Sequence, residues 1–320
     1  MAGLEPMQGL VILVLAVLSG LCRITAAAPA NANDAAAMHS IANTTGAAKS
    51  LGWGMKSADP CDGTWAGVRC NGEGRVTSII ANRAGLGGGL HGSDLSKLSF
   101  LEELDVSFNT ISGYTDSPDS GLPLLPTPLQ YLRSLDLRSN HFFDIPAKGF
   151  FAGFPALETI TLDDNPMADP KFRLDVLTCS SLRSFSANNV TILQFPAFFG
   201  YNIAFPVLET LSLARNQIMG HIPPSFGNNS SIKYLDISDQ KDVFGNPTLV
   251  GRIDNFIPGM VSLVEVRLDH NDLAGPLPDA SKLVNLLVFN AADNHLCGVP
   301  NFPDGTSVDL TGNQAVGQVC

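Results

Sequence analysis

The sequence predicts an α/β repeat protein, a solenoid of about nine coils with a disulfide-bonded cap at its N-terminal end. Two observations lead to this fold class: one short apolar pattern recurs along most of the chain, and a closely spaced cysteine pair precedes it. The 320 residues are enough for a single large domain of this kind.

The recurring pattern has the form LxxLxLxxN, in which x is any residue. Its copies begin at residues 76, 101, 132, 157, 182, 208, 232, 263 and 286. Intervals of 23 to 31 residues are typical of a leucine-rich-repeat solenoid, which we place at residues 75–300. The apolar positions are expected to point inward and to stack on those of neighbouring coils, because one coil cannot bury its own apolar face.

The last position of the pattern is Asn in six of the copies. A side-chain amide at this position can satisfy backbone groups that the tight turn leaves unpaired. Gln240 stands there in one copy and can partly replace Asn, whereas Val190 in another copy cannot. The sequence therefore predicts a distorted coil at about residues 185–195.

Residues 1–27 are predicted to be a cleaved signal peptide. Residues 9–21 are apolar and uncharged, too few for a membrane span of roughly 20 residues, and small residues follow. No Lys or Arg precedes the apolar stretch, so an uncleaved anchor and an unusual core helix stand as alternatives. No later stretch approaches a membrane span, and we expect the chain to be secreted out of the cytosol.

Residues 31–74 are predicted to form the cap that covers the first coil. Asp34 can cap a helix that continues to about Ala48, with Met38 and Ile41 facing inward. Both tryptophans of the protein lie in this segment, where we expect them to pack against the first coil.

The cysteines support an oxidising compartment, in which close pairs usually form disulfides. We expect one bridge between Cys61 and Cys70 and another between Cys297 and Cys320. Cys179 is then left over. It is either a buried, inert thiol or part of an intermolecular link.

The overall charge and the histidine spacing exclude several classes of function. There are 30 acidic and 19 basic residues, a net charge of −11, and a nucleic-acid partner requires clustered Lys and Arg. The six histidines have no metal-ligand spacing, so we expect neither a metal nor a cofactor. The glycines at 87–92 match a phosphate loop only formally, since they fall in the turn of the first coil. We therefore expect no enzymatic activity.

Strand residues between the apolar positions are expected to face the concave side of the solenoid. This column is predominantly acidic with a few basic residues, and it contains our candidate binding residues: Asp105, Asp136, Asp163, Asp164, Asp236, Asp239, Arg267, Asp269 and His270. Such a face either serves solubility alone or forms a groove for a basic or polar peptide or a partner ectodomain.

Two features lie outside the repeat pattern. The two intervals of 31 residues hold insertions at 117–128 and 240–248, which are either contact sites or surface loops without a role. Residues 301–320 are predicted to be a C-terminal tail or partial cap.

Four sequons are predicted N-glycosylation sites: Asn43, Asn189, Asn228 and Asn229. Asn228 and Asn229 adjoin, so we expect one of them to be used. Asn189 lies close to a concave strand, and a glycan there would argue against a groove at that coil.

Further strings in the sequence resemble one group of proteins. The cap contains DPC at 59–61 and WAGV at 65–68, and strings similar to LxGxIP appear at 218–223 and 273–278. Together they resemble plant leucine-rich-repeat receptors. SFSAN and SVDL, which begin at Ser184 and Ser307, narrow the resemblance to the transmembrane-kinase (TMK) receptor-like kinases.

The resemblance implies a function in extracellular recognition. Members of the TMK family continue into further repeats, a transmembrane helix and a cytosolic kinase, and they are implicated in auxin signalling at the cell surface. This chain resembles their ectodomain and lacks the transmembrane and kinase parts. We therefore expect a ligand-binding or co-receptor module, at the cell surface if a full-length product is anchored. A secreted inhibitor or decoy resembling polygalacturonase-inhibiting proteins is the alternative, and a truncated product without a role is a third possibility.

Overall fold

A computed structural model describes residues 28–113, 121–143, 148–167 and 174–320, so the predicted signal peptide lies outside the described residues. The strands in chain order are β1 (Val68–Cys70), β2 (Val76–Ile80), β3 (Glu103–Asp105), β4 (Ser134–Asp136), β5 (Thr159–Thr161), β6 (Ser184–Ser186), β7 (Thr210–Ser212), β8 (Tyr234–Asp236), β9 (Val250–Gly251), β10 (Glu265–Arg267), β11 (Asp272–Pro276), β12 (Val288–Asn290), β13 (His295–Gly298), β14 (Ser307–Asp309) and β15 (Ala315–Val316). The helices are α1 (Ala32–Thr44), α2 (Ala47–Ser50) and α3 (Gly92–Leu95), with short 3-10 segments at Phe151–Gly153, Leu174–Thr178, Ala197–Gly200 and Ile257–Gly259.

One sheet runs the length of the described solenoid. Its eleven strands are ordered β1-β2-β3-β4-β5-β6-β7-β8-β10-β12-β14, and all pairs are parallel except β1 with β2. From β3 onward, the second apolar residue of each pattern copy is the middle residue of its three-residue strand, and these residues pair in register, as Leu104 with Leu135 and Leu135 with Ile160. Their side chains are buried in the core. The predicted leucine-rich-repeat solenoid is confirmed.

A second, smaller sheet lies beyond the turn that follows the main strands. Its order is β15-β13-β11-β9, again with parallel pairing. Each coil in this part of the chain therefore contributes two short strands, and the coils are joined by hydrogen bonds on two sides.

The Asn residues that end the pattern form a buried ladder. Nδ2 of Asn140 donates to the carbonyl oxygens of Val106 in the preceding coil (3.0 Å) and Leu137 in its own coil (3.1 Å). Its Oδ1 accepts from the amide of Ile111 at 3.0 Å. Gln240 repeats this arrangement, with Nε2 donating to the Leu213 carbonyl at 2.9 Å. The amides thus satisfy backbone groups that water cannot reach.

Val190 interrupts the ladder, and the turn that follows it is irregular. Thr191 adopts a left-handed backbone with φ of 59°. The amide of Met167, which faces this position, donates to the carbonyl of Asn165 in its own turn at 2.7 Å. Strand β6 nevertheless keeps regular pairing on both sides. The predicted distortion is therefore present in the turn and absent from the strand.

The cap helix differs from its prediction at both ends. Asn31 is the N-cap, because its side chain accepts from the amide of Asn33 at 3.0 Å. Helix α1 ends at Thr44. Gly46 then adopts a left-handed backbone (φ 74°) and precedes α2. Asp34 is fully buried, and its carboxylate instead accepts from Arg75 and from the Val76 amide, each at 2.9 Å. Asp34 therefore fastens the cap to the first coil.

The inward-facing residues of the cap helix are buried as expected, and the contacts of the two tryptophans are with each other and with other cap residues. Met38 and Ile41 are buried, and the rings of Trp53 and Trp65 stack with centroids 5.6 Å apart. The predicted bridge between Cys61 and Cys70 is confirmed, with the Cα atoms 5.5 Å apart.

The glycine-rich segment after β2 allows the cap and the next coil to approach closely. A Cβ atom on Gly88 would lie 2.3 Å from the carbonyl oxygen of Thr44, and one on Gly92 would lie 1.9 Å from that of Leu124. Any larger residue would push the cap or the neighbouring coil away. This contact explains the formal match to a phosphate loop.

Residues 301–320 add one more coil to the solenoid, whereas we predicted a tail or partial cap. Strand β14 pairs with β12, and Nδ2 of Asn313 donates to the Ala291 carbonyl at 2.8 Å, which extends the Asn ladder. The second half of the pattern is present as Val308, Leu310 and Asn313, but the leading Leu is missing. A disulfide joins Cys297 to Cys320 across this coil.

Candidate binding surface

The candidate surface is the exposed side of the main sheet, which we call the inner face because such strands line the concave side of a leucine-rich-repeat solenoid. In each strand the residues that flank the buried middle residue point to this side. Asp105, Asp136, Asp236 and Arg267 occupy strand positions, and the other five candidates follow their strands by one or two residues past the next apolar position. The fold thus brings all nine candidate residues to one surface.

The last inner-face position of each coil has a left-handed backbone. It is occupied by Arg83, Phe108, Ser139, Asp164, Asn189, Arg215, Asp239, His270 and Asp293, with φ between 50° and 57°. Asp, Asn and His tolerate this conformation better than other non-glycine residues. The repeated turn aligns these side chains along the edge of the inner face.

Many of the candidate carboxylates already bind the backbone. Oδ1 of Asp105 accepts from the Ser107 amide at 2.9 Å, and Oδ1 of Asp236 accepts from the Ser238 amide at 3.0 Å. Oδ1 of Asp163 accepts from the Asn188 amide of the next coil at 2.8 Å. These hydrogen bonds close the ends of strands and are not among the features predicted above. Asp-x-Ser after a buried Leu is the signal that could have revealed two of them.

Most basic side chains on the inner face are neutralised by a neighbouring acid. Arg267 lies 2.6 Å from Glu265, and Arg215 lies 3.6 Å from Asp164. Two further pairs, each at 2.5 Å, join Arg138 to Asp136 and Lys241 to Asp239. The carboxylates that remain give the surface a net negative charge.

The most acidic part of the inner face lies on the C-terminal coils. His270 sits between two carboxylates, with Nδ1 2.9 Å from Asp269 and Nε2 3.2 Å from Asp293. Burial raises the pKa of Asp236, and the negative charge of Asp269 raises it further despite the hydrogen bonds from Ser238. A cation placed here would stabilise the ionised carboxylates.

The middle of the inner face is lined by small hydroxyl groups. The strands β4 to β7 present half-buried side chains of one kind: Ser134, Thr159, Thr161, Ser184, Ser186, Thr210 and Ser212. Small residues allow another backbone to approach the sheet closely, and their hydroxyls can both donate and accept hydrogen bonds. Asp136 at the end of β4 is the exception: the other inner-face strand positions of β4 to β7 carry no charged or bulky residue, whereas β3 and β8 on either side do.

The insertion at 240–248 is a compact hairpin, whereas part of the insertion at 117–128 lies outside the described residues. Oδ1 of Asp242 accepts from the amides of Phe244 (2.9 Å) and Asn246 (2.8 Å). The backbones of Lys241 and Pro247 form an antiparallel β-bridge. Val243 and Phe244 are 76% and 85% exposed at the tip. The hairpin therefore displays two apolar side chains on an ordered turn.

All four predicted glycosylation residues are exposed: Asn43, Asn189, Asn228 and Asn229. Nδ2 of Asn189 donates to Oδ1 of Asp164 at 3.0 Å, and Asn189 borders a depression formed with Arg215 and Asp239. A glycan on Asn189 would occupy this part of the inner face. Asn228 and Asn229 lie on the opposite side of the coil, beside Gly259.

Cys179 is fully buried and unpaired. Its Sγ lies 3.5 Å from the carbonyl oxygen of Phe154, and burial raises the pKa of the thiol to about 11. A protonated, inaccessible thiol is unreactive. The structure favours the buried thiol over an intermolecular link.

A metal site and a membrane span would each require a specific set of residues in the described ranges. Within them, no cluster of three or more His, Cys, Asp or Glu side chains has the arrangement of a metal site. No helix within residues 28–320, outside the three undescribed gaps, has the length and apolar character needed to cross a bilayer.

Comparison with known proteins agrees with the fold and shows similarity to plant receptors. Residues 207–229 and 97–113 match the Leucine Rich Repeat family. The chain is 30% identical over 280 residues to Receptor-like kinase TMK2 of Arabidopsis thaliana, an alignment that covers 87% of this chain and 30% of TMK2. The chain thus spans less than a third of that relative's length.

Solved structures show the same architecture. The ectodomain of the Arabidopsis thaliana receptor kinase GASSHO1/SCHENGEN3 superimposes with a TM-score of 0.65 at 18% identity, over 85% of this chain and 31% of that chain. The plant receptor RGFR1 gives a TM-score of 0.59 at 20% identity, over 76% of this chain and 40% of that chain. At these identities the structures establish the fold alone. From the repeats, the cap disulfide and the alignment with TMK2, this chain is a homologue of the leucine-rich-repeat ectodomains of plant receptor-like kinases.

Proposed function

We propose that this chain is an extracellular recognition module that binds a basic or polar peptide, or a partner ectodomain, along its inner face. The observation that carries the proposal is the excess of carboxylates on that face after its basic side chains have been paired. A surface of one sign attracts ligands of the opposite sign and raises their rate of association.

The C-terminal coils are the strongest part of this surface for a cation. Asp236 and Asp269 repel one another, and burial already disfavours the charge on Asp236. A Lys or Arg side chain of the ligand would relieve both costs at once, so its binding energy would be larger than that of an exposed ion pair.

The middle of the inner face suits an extended peptide backbone. The small hydroxyl side chains of β4 to β7 leave room for close approach and provide hydrogen-bonding groups along the path. An extended chain rises about 3.3 Å per residue, so roughly nine residues span the distance from the first coils to β8.

Similar proteins give the proposal context. GASSHO1/SCHENGEN3 was solved in complex with CASPARIAN STRIP INTEGRITY FACTOR 2, and RGFR1 is described as a plant peptide hormone receptor in complex with RGF2. By extension, this chain would serve as the ligand-binding or co-receptor part of a TMK-like receptor, in hormone signalling of the auxin type. The receptor homology and the disulfides favour an extracellular location, and we propose that residues 1–27 direct export.

A defined probe tests the proposal: a fluorescent twelve-residue Gly/Ser peptide with two lysines at its N-terminal end. We expect it to bind the native protein, more tightly at 50 mM than at 300 mM salt because exposed charges are screened. The test variant neutralises four inner-face carboxylates: Asp163→Asn, Asp164→Asn, Asp236→Asn and Asp239→Asn. Its affinity at low salt should fall about tenfold, with a weaker salt dependence.

A control variant removes the same net charge elsewhere on the surface: Asp62→Asn, Glu73→Gln, Asp279→Asn and Asp304→Asn. All four residues are exposed and lie outside the inner face. Affinity should stay within about twofold of the native value, because their charges lie far from the peptide. Equal losses of affinity in both variants would mean that the effect comes from the net charge of the protein, which would contradict a binding groove on the inner face.

A further inference from the structure

Arg83 is an exception on the acidic inner face. The other arginines of this surface pair with an acid, but within the described part of the chain Arg83 has no carboxylate in ion-pairing range. Its side chain is exposed at the N-terminal end of the face. The guanidinium carbon lies instead 3.9 Å from the centroid of the Phe108 ring in the next coil.

The fold places this pair side by side. Arg83 and Phe108 hold the last inner-face position of adjacent coils, with φ of 50° and 55°, and their amides donate to the carbonyls of Ser107 and Arg138 in the following coils. Stacking on an aromatic ring orients a guanidinium without neutralising it, since the ring carries no net charge. The donors of Arg83 are thus held in place and left available.

Phe108 adds an apolar surface to the positive charge. Its ring is 38% exposed, and the Arg138 guanidinium lies 5.8 Å from the centroid. Arg138 is itself bound by Asp136, so the uncompensated charge belongs to Arg83. The combination of free guanidinium donors and an exposed ring edge suits a carboxylate that carries an apolar neighbour.

The geometry points to Arg83 and Phe108 as a subsite for a carboxylate and an adjacent apolar side chain of the peptide. This inference rests on the proposed function, because the same peptide reaches the subsite and the acidic C-terminal coils. The inner face is then polarised, and it accepts the ligand in one direction. The carboxylate end lies over β2 and β3, and the basic end lies over β8 and β10.

The spacing of the two charged ends follows from the sheet. Six strand-to-strand steps separate β2 from β8. Neighbouring strands lie about 4.8 Å apart, which gives roughly 29 Å, or about nine residues of extended peptide. A shorter peptide cannot bridge both ends of the face.

Three forms of the probe peptide test the subsite. The first has two lysines at its N-terminal end, a spacer of nine Gly/Ser residues and a C-terminal Leu with a free carboxylate. The second is the same peptide with an amidated C-terminus. The third is the amidated peptide with Glu in place of the residue before Leu. Affinities are measured by fluorescence anisotropy for the native protein, for Arg83→Gln and for the matched control Arg183→Gln, whose guanidinium pairs with Glu209 outside the inner face.

Amidation should weaken binding to the native protein and to Arg183→Gln about five- to tenfold, and it should change nothing for Arg83→Gln. If the Glu of the third peptide restores the affinity, the subsite binds side-chain carboxylates as well as C-terminal carboxylates. If the affinity is not restored, the subsite binds C-terminal carboxylates alone. Either result supports a carboxylate subsite.

Two other outcomes separate the possible failures. Equal affinity of the free and amidated peptides for the native protein, or an undiminished difference in Arg83→Gln, overturns the subsite and leaves the proposed function standing. If no form binds the native protein at 50 mM salt, the proposed function fails, and the subsite fails with it. A circular dichroism spectrum identical to the native one ensures that Arg83→Gln is folded.

Discussion

The N-terminal and C-terminal coils carry the same motif on the inner face but place it in opposite electrostatic surroundings. Asp105 and Asp236 both follow a buried Leu, and both accept hydrogen bonds from the amide and hydroxyl of a Ser two residues on. Burial alone would raise the pKa of Asp105, but hydrogen bonds from Asn82 and Ser107 together hold it below its usual range. The pKa of Asp236 is raised, first by burial and then by the charge of Asp269.

The difference comes from the neighbouring coils. Asp105 receives Nδ2 of Asn82 at 2.9 Å from the preceding coil and lies near the positive charge of Arg138. Asp236 faces another carboxylate from the coil that follows. A repeat motif therefore sets the position of a charge, while the adjacent coil decides whether that charge is stabilised. The C-terminal carboxylates are left with more to gain from a bound cation.

The ion pairs near the two ends of the solenoid also differ in their burial. At the N-terminal end, the ion pair between Asp34 and Arg75 has side-chain exposures of 0% and 17%. At the C-terminal end, His295 pairs with Asp272 at 3.0 Å, with exposures of 72% and 44%. Buried ion pairs are strongly destabilising to break, whereas exposed pairs contribute little.

The largest expected effect is at the N-terminal fastening. Asp34→Ala should lower the free energy of unfolding by about 3–5 kcal/mol, because it leaves the Arg75 guanidinium and the Val76 amide without their buried acceptor. Urea denaturation followed by tryptophan fluorescence measures it, since both tryptophans lie in the cap. Asp304→Ala is the control and should leave the midpoint unchanged, because this carboxylate near the last coil is exposed and accepts no hydrogen bond from the described residues. A small loss in Asp34→Ala would mean that the cap is held by its disulfide and apolar packing alone.

The comparison of Asp105 with Asp236 predicts effects of opposite sign. At pH 7, Asp236→Asn should stabilise the protein by about 1 kcal/mol, and Asp105→Asn should destabilise it by about 1 kcal/mol or less, a figure lowered for solvent screening. Asn keeps an acceptor for the Ser amide in each case. Denaturation at pH 7 measures both effects.

The pH dependence of the two effects follows from the shifts. A raised pKa means that the folded state binds more protons, so the penalty at Asp236 appears as pH rises above about 4. A lowered pKa at Asp105 contributes stability above about pH 4, which is lost as pH falls through the folded-state value. Both variants should approach native stability at acid pH. If the two substitutions shift stability in the same direction, the neighbouring coils do not control these charges.

The smallest expected effect is at the exposed pair of His295 and Asp272. His295→Gln should change the free energy of unfolding by less than about 0.5 kcal/mol, because the pair with Asp272 is exposed to solvent. Thermal unfolding at pH 7 gives the measurement. A loss comparable to that of Asp34→Ala would show that burial does not decide the contribution of these two pairs.

The sequence was most informative where a residue's role repeats along the chain. The pattern residues were assigned to the core, and their burial follows the prediction, as at Leu135 and Phe289. The Asn ladder, its replacement by Gln240 and its interruption at Val190 were also expected. The last coil was missed because Val308, Leu310 and Asn313 lack the leading apolar residue that begins each of the nine copies.

The cap shows how a local signal can mislead. Asp34 is a favourable N-cap residue by type, and Asn31 was overlooked three residues before it. The Asp34 carboxylate is instead bound by Arg75, which donates a hydrogen bond to it and is 41 residues away in the sequence. No local pattern contains that partner.

What the sequence by itself determined is the period, the core and the surface on which the acidic residues lie. A helix or strand period depends on neighbouring residues, and a solenoid repeats that local rule in every coil. The tertiary structure decided which side chains contact or influence one another. Asp269 raises the pKa of Asp236, Asn82 donates a hydrogen bond to Asp105, and the Arg83 guanidinium stacks on the Phe108 ring. These partners lie 23 to 33 residues apart in the chain and meet only when the coils stack, because electrostatic and aromatic contacts act over a few ångströms.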